Sequence, residues 1–373
     1  MRTITLLHGP PAAGAALLRN TGLVDRLVGA PQGTCSWAAT LDAQARDGRS
    51  FFLIAETAPR NAFLTSWSQR VFYRVQHLVL APESAPTAPI GSVHTLLPCD
   101  FACSRAELRR KVVEILSPPV IDMNRFRQIV FIGDIHGCDA TLAALLDDAP
   151  ARSDTGYVFL GDYISKGPAT ASVLRRLRAG YLGRDNVIAM AGNHESILET
   201  WAWEGQPRSR CFRATALPDL NAARYGPEEA RDFLAMLVDA RWISWRGFDI
   251  LANHGGFSRV PREMGLLTSW QCRIGSGPSA LDVDQSWDAD AAGEAAACPG
   301  LVQVHGHRNV GRRPVAAGRG IFNLEGGVEA GGHLRALVLS DTGGRCRFTS
   351  VTMPSRDRLT PFIQARLAGQ EAA

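Results

Sequence analysis

Five short clusters of oxygen- and nitrogen-bearing side chains lie between Gly133 and His307: Gly133-Asp-Ile-His-Gly, Gly161-Asp-Tyr-Ile-Ser-Lys-Gly, Gly192-Asn-His-Glu, Asn253-His-Gly-Gly and His305-Gly-His. They supply Asp134, His136, Asp162, Asn193, His254 and His307, a mixture of carboxylate, amide and imidazole. Hard divalent cations at a phosphoryl site favour the oxygens, and transition metals such as Mn, Fe and Zn also accept imidazole nitrogen. A shared carboxylate holding two cations about 3.5–4 Å apart would let them clamp a phosphate and lower the pKa of a bridging water. Attack by that hydroxide in line with the leaving oxygen needs no covalent enzyme intermediate. The chemistry these residues point to is metal-dependent hydrolysis at phosphorus.

Each cluster comes directly after a short apolar, β-rich run. The runs are Gln128-Ile-Val-Phe-Ile, Tyr157-Val-Phe-Leu, Val187-Ile-Ala-Met-Ala, Asp249-Ile-Leu-Ala and Leu301-Val-Gln-Val, and all read as buried strands. The polar residues therefore sit just past strand C-termini, where open α/β sheets place their ligands. Apolar residues at three and four spacing predict helices over 139–148, 169–179 and 227–239. The stretch from Ile321 to Ser340 reads as two strands joined by a Gly-rich turn that complete the sheet, and the segment after Ser355 as a polar, Ala-rich tail with a loose terminal helix.

A chain of 373 residues favours two domains. Residues 1–120 differ in character from the rest of the chain, and Pro118-Pro119 marks the boundary; the second domain is expected over 121–355 and the tail over 356–373. No apolar run approaches the ~20 residues of a membrane span, and the N-terminal apolar stretch is too short for a signal peptide, so a cytoplasmic, non-membrane protein is expected. The eight cysteines are scattered and read as reduced thiols. A net charge of +4 gives little support for a broad nucleic-acid-binding face. Lys occurs only at 111 and 166, so a Lys inside a chemical cluster looks selected.

The five clusters, in this order, resemble the signature of the phosphoprotein phosphatase superfamily of metallophosphoesterases, over about residues 125–345. The resemblance implies an α/β fold, a calcineurin-like β-sandwich flanked by helices, and two divalent cations, manganese first, with iron, zinc and nickel also fitting. It implies that Asp134 and His136 bind the first ion, Asp162 bridges both, and Asn193, His254 and His307 bind the second. His194 would protonate the leaving group, with Lys166 and Asn193 on the substrate phosphate. The family pattern has Asp and Arg where this chain has Ser165 and Lys166. Ser165 cannot supply the charge by which that Asp orients His194, whereas Lys166 still suits phosphate as a point charge. The wording Asp162-Tyr-Ile-Ser-Lys-Gly-Pro is similar to the diadenosine tetraphosphatases, which leans the substrate toward nucleotides.

The front segment opens with a strand at Thr3-Ile-Thr-Leu-Leu, then Gly9-Pro-Pro-Ala-Ala-Gly as a tight loop and a helix from Ala15. It has the frame of a P-loop, with Ala15 and Ala16 where Lys and Ser/Thr belong, so ATP binding and hydrolysis there are not expected. Together with Asp47 to Asn61 it resembles the kinase portion of bacterial polynucleotide kinase-phosphatases, which implies a smaller P-loop-like α/β domain, a pseudokinase, ahead of the phosphatase. The expected substrates are nucleotides or polynucleotide ends; a phosphoprotein (Ser/Thr or Tyr) phosphatase and a non-enzymatic scaffold for phosphorylated ligands are the alternatives. Among isolated residues, Arg273, Arg308, Arg312 and Arg313 read as a solvated rim or as phosphate contacts, and Trp201, Trp203, Trp242 and Trp245 as packing between helices.

Overall fold

The computed structural model describes residues 2–33, 35–71, 73–81, 91–147, 149, 151–276, 283–287, 290–291, 300–308, 316–318 and 320–369. The chain divides into two compact units, one of Met1–Pro118 with Pro261–Ser269 and the other of Pro119–Val260 with Trp270–Ala373.

The first unit is built on a four-stranded sheet in the order β2-β1-β3-β4, from β1 (Arg2–His8), β2 (Phe51–Ile54), β3 (Tyr73–Val79) and β4 (Ser92–Thr95), all parallel. Helices α1 (Pro11–Thr21), α2 (Trp37–Asp47), α3 (Asn61–Val71) and α4 (Arg105–Leu116) connect and cover it. Leu7, Phe52 and Leu78 of the sheet pack with Leu17, Leu18, Leu108 and Val112 of α1 and α4. The loop expected over Gly9–Gly14 is corrected to two residues. Pro11, whose fixed φ suits the first helical position, starts α1, and the alanines continue it. Gly14 is thus a buried helical residue whose Cβ position lies 3.3 Å from Leu7 Cδ1.

The second unit holds two sheets. One runs β15-β14-β6-β7-β8 and the other β12-β13-β11-β10-β9-β5. In chain order these strands are β5 (Ile121–Asp122), β6 (Gln128–Ile132), β7 (Thr155–Phe159), β8 (Val187–Ala189), β9 (Ala240–Trp245), β10 (Phe248–Asn253), β11 (Leu301–His305), β12 (Ala316–Gly318), β13 (Ile321–Asn323), β14 (His333–Asp341) and β15 (Cys346–Pro354). Alternation along β6 shows why the sheets stack. Ile129 and Phe131 meet Ile243, Trp245, Ile250 and Val304 of the opposite sheet. Ile132 turns the other way, with Tyr157 and Phe159, onto Leu142, Leu174, Leu198 and Phe233. Those last four come from α5 (Asp139–Leu145), α6 (Thr170–Gly180), α7 (Asn193–Glu204) and α10 (Pro227–Leu234), between which lie the short α8 (Arg210–Ala214) and α9 (Ala216–Ala222). Each such fully buried side chain contributes about 1.5–3 kcal/mol. The result is the expected sandwich flanked by helices.

The five expected strands and three expected helices are present, the last helix ending at Leu234. The reading of residues 321–340 as one hairpin is corrected: β13 pairs with β11 and β12, whereas β14 pairs with β6 and β15. The Gly-rich stretch between them carries the chain from one sheet to the other. Trp242 and Trp245 lie on β9 rather than between helices, and Trp245 Nε1 donates to Phe126 O at 3.0 Å. No helix among the described residues is long and apolar enough to cross a membrane.

Arg273, on α11 (Ser269–Ile274), is neither rim nor phosphate contact. It is buried, donates to both oxygens of Glu199 (2.8 and 2.9 Å) and to Ser196 Oγ (2.7 Å) on α7, and lies 3.3 Å from Asp239. Arg308 donates to Ile274 O (2.7 Å), and Arg312 and Arg313 fall outside the described residues. Arg273→Ala strands two carboxylates and should cost about 3–5 kcal/mol. Urea unfolding should shift accordingly, with Arg273→Lys losing less because the charge stays.

Candidate metal centre

Strands β6, β7 and β8 run parallel, as do β10, β11 and β13. The residues past their C-terminal ends bring together Asp134, His136, Asp162, Lys166, Asn193, His194, His254 and His307. The ligand atoms fall into overlapping groups, each within 4.8 Å: His136, Asp162 and His194; Asp162, His254 and His307; Asp134, His136 and Glu325. Asp162 and His136 each belong to two of them.

The backbone bends sharply to achieve this. His136, Asp162, Ser165, Lys166 and His307 all have φ between 47° and 69°, a conformation that L residues adopt at a cost. Specific bonds hold them there. Ile135 and His136 N–H donate to Asp162 O (3.1 and 2.7 Å), and Gly167 N–H donates to His136 O (2.8 Å), so the first two loops lock together. Glu195 accepts from the N–H groups of Gly192 (2.7 Å), Asp162 (2.8 Å) and Tyr163 (2.9 Å), closing the N-terminus of α7 onto the Asp162 loop. Glycine is obligatory at two points. A Cβ on Gly192 would lie 2.2 Å from Asp162 Oδ1, and one on Gly306 2.1 Å from Asp134 Oδ1.

Backbone carbonyls set the imidazole tautomers. His254 Nδ1 lies 2.8 Å from Leu160 O and His136 Nδ1 3.3 Å from Ile164 O, so each Nδ1 carries the proton and each Nε2 offers a lone pair. His254 Nε2 then faces Asn193 Oδ1 (3.1 Å) and Asp162 Oδ1 (3.3 Å), and His136 Nε2 faces Asp162 Oδ2 (3.5 Å) and Asp134 Oδ2 (4.0 Å). These are acceptors converging on acceptors in a buried setting, which only a proton or a cation between them makes favourable. The donor set fits divalent transition-metal ions, with carboxylate and amide oxygens mixed with imidazoles.

Charge at the centre is strongly polarised. Burial pushes Asp162 up, but His254 and His194 outweigh it and hold this carboxylate well below its usual range. The N–H of His194 at the start of α7 adds a bond to Asp162 Oδ1 (2.9 Å). Asp134 is pushed well above its usual range by burial and by Glu325 and Asp162. Burial, with help from His136, pushes His194 down to about 3, and burial with His254 does the same to His307. Burial opposes ionisation of Glu329, yet His136 and Lys166 bring it down to about 2.

The turn at Ser165 and Lys166 departs from the family pattern. Ser165 Oγ and His194 Nδ1 are both buried and neither bonds to another atom of the described protein. Lys166 Nζ lies 2.8 Å from His136 Nε2 and 3.1 Å from Glu329 Oε1. Its backbone is clamped from two remote segments: Lys166 N–H donates to Thr215 Oγ1 (3.0 Å), and Thr360 Oγ1 donates to Lys166 O (2.7 Å). Thr360 belongs to the segment read as a tail, which also places Asp357 at the start of α5, accepting from Ala140 and Thr141. Glu195, Glu325, Glu329 and the two threonines had no role in the sequence reading. For Glu325 and Glu329 the signal was present, since acidic residues flanked by glycines just past an apolar run repeat the pattern of the other clusters.

The calcineurin-like phosphoesterase family model matches residues 127–313. Among curated proteins, the symmetrical bis(5'-nucleosyl)-tetraphosphatase of Paracidovorax citrulli is 49% identical over 82 residues, 21% of this chain and 28% of that protein. The protein of the same name from Acidovorax ebreus is 37% identical over 128 residues, 34% of this chain and 42% of its own length. The chain thus spans less than half the length of either relative. Among solved structures, a cold-active protein tyrosine phosphatase aligns over 66% of this chain and 84% of its own, at 18% identity and a TM-score of 0.44.

Two outcomes are expected. In chelator-treated protein, His194 and His307 resist protonation down to about 3, whereas the unfolded chain takes up protons below about 6.5. These groups therefore destabilise the fold progressively as pH falls through that window. Glu195, pushed up to about 7 by burial and Asp162, works the other way, its contribution being lost as pH rises from 4.5 through 7. The Tm loss between pH 6.5 and 4.5 should be smaller in His194→Asn than in wild type. Thr360→Val should raise KM for a phosphate substrate more than it lowers kcat, with about 0.5–2 kcal/mol of stability lost, and Thr360→Ser should restore both.

Proposed function

The chain belongs to the calcineurin-like phosphoesterase family, a family of hydrolases, and on that premise we propose that it hydrolyses phosphoanhydride or phosphoester bonds of nucleotides or polynucleotide ends. The carrying observation is the convergence of acceptor atoms from Asp162, Asn193, His254 and His136, whose tautomers are fixed by Leu160 and Ile164 carbonyls. Asp134, His136 and Asp162 would hold one divalent ion, and Asp162, Asn193, His254 and His307 a second, with manganese first among the fitting metals. Ions bound there supply Lewis acidity toward the phosphate and lower the pKa of water.

The chain's own residues do the rest. Asp162, anchored by His194 N–H and by Glu195, fixes the geometry of the whole group. Lys166 offers a point charge to a phosphate oxygen, and Asn193 Nδ2 a second donor. His194 stands beside His136, with ring centroids 4.8 Å apart, and in this reading passes a proton to the leaving oxygen. With its basicity depressed, it takes up that proton only when an anionic phosphate is alongside. The lean toward nucleotides rests on Ser165 and Lys166 and on the names of the two tetraphosphatase relatives.

The test is phosphate release by the full chain with Mn²⁺ from diadenosine tetraphosphate, end-phosphorylated RNA, phosphopeptides and an aryl phosphate. Nucleotide substrates should turn over best, and Asp162→Asn should lower every rate by at least ~100-fold. Turnover of phosphopeptides alone would overturn the substrate reading. Undiminished aryl phosphatase activity in Asp162→Asn would overturn the metal assignment.

A further inference from the structure

The six residues of the family pattern leave Glu325 without a role, yet its carboxyl lies among them. It comes two positions after β13, so it too stands at the C-terminal end of a parallel strand. Its position is over-determined: its N–H donates to Asn323 Oδ1 (3.1 Å), Arg335 donates to its carbonyl (2.8 Å), and Gly327 N–H donates to its Oε1 (2.6 Å). The side chain is buried. The ligand atoms of Asp134, His136 and Glu325 lie within 4.8 Å of one another.

Asp134 and His136 follow β6 of one sheet and Glu325 follows β13 of the other, yet their ligand atoms meet at one buried point. His136 Nε2, turned inward by its Nδ1 contact with Ile164 O, lies 2.8 Å from Lys166 Nζ, so a positive charge already stands at this point in the ligand-free centre. A divalent cation is held by three or more such donors. Oxygen, oxygen and nitrogen converging from two strand ends is a ligand set.

Resting on the dinuclear reading above, we propose that Glu325 is a further protein ligand of the ion held by Asp134, His136 and Asp162. The two positions then differ in chemistry. The first has three carboxylates and one imidazole, and the second one carboxylate, one amide and two imidazoles. An oxygen-rich position favours harder ions such as Mn²⁺, and a nitrogen-rich one is more permissive toward Zn²⁺. Glu325 thereby makes the first position the one that selects manganese.

The experiment measures Mn²⁺ binding to the full chain by calorimetry and metal content after dialysis. Wild type should bind two ions. Glu325→Gln, which keeps shape and one acceptor oxygen, should weaken one of them at least ~10-fold and leave the other unchanged, and Glu325→Asp should recover part of the loss. His307→Ala should weaken the other ion. Two ions bound by Glu325→Gln with wild-type affinity would overturn the proposal while sparing the dinuclear reading; no binding by wild type would overturn both. Should the variants not fold, a crystal structure of the wild type with Mn²⁺ decides. A Glu325 oxygen within about 2.5 Å of the ion supports the assignment, and one held only by Asp134, away from the ion, refutes it.

Discussion

The Asp162 carboxylate is buried, charged and touched from every side, and the centre depends on keeping it so. Burial alone would protonate it. Instead the first turn of α7 presents the His194 N–H to Oδ1, and His254 and His136 bring imidazoles to the two oxygens. Glu195 holds the backbone beneath it from the same helix turn. An isolated carboxylate in this interior would cost several kcal/mol; the His194 N–H reduces that cost, and the imidazoles do so once a proton or a cation lies between them and the oxygens. The Nε2 lone pairs of the two imidazoles are set by the same loop, because the carbonyls that fix the tautomers of His254 and His136 belong to Leu160 and Ile164, within two residues of Asp162. One loop therefore supplies the Asp162 carboxylate and orients the imidazoles around it.

Strain gathers at the site, with three of its five left-handed residues on the same loop. Five site residues sit in the left-handed region, a conformation costing of order 1 kcal/mol or more apiece. They persist because the surrounding bonds leave no alternative: His136 and Gly167 are tied across the first two loops, and Lys166 is pinned by Thr215 and Thr360. The sandwich core beneath, where Ile129 and Phe131 meet Trp245 and Val304, is what makes such clamping rigid.

The strand-loop-helix rhythm and the meeting of the eight named side chains were legible in the sequence because each apolar run is short and ends abruptly in polar residues that have no other partner nearby. The hairpin reading of 321–340 failed because a Gly-rich link between two apolar runs has the same local pattern whether the strands pair with each other or with different sheets; only the pairing of β14 with β6 decides it. Glu325 and Glu329 were hidden by that error. Thr215 and Thr360 were beyond reach for another reason, since a lone threonine carries no signal for a hydrogen bond to a carbonyl or amide far along the chain. In the first unit, Pro11 and the alanines after it favour helix over loop, a local preference that the glycine spacing masked.

The changed shell around Lys166 obeys a consistent charge logic. Where the family pattern has an Asp beside the cation, this chain has Ser165, so a carboxylate has left the loop. Glu329 brings one back from the link between the two sheets, and it pairs with Lys166 rather than with His194. The local charge is thereby restored while the partner of His194 is not, which is why His194 Nδ1 and Ser165 Oγ are both left without a bond in the described protein. A histidine so placed, with its basicity pushed down to about 3, is uncharged and carries a single ring proton in the ligand-free centre at neutral pH. Under the proposed function, the negative charge that can raise it is the substrate phosphate, and with Ser165 in place of the Asp, His194 becomes charged only when such an anion is alongside.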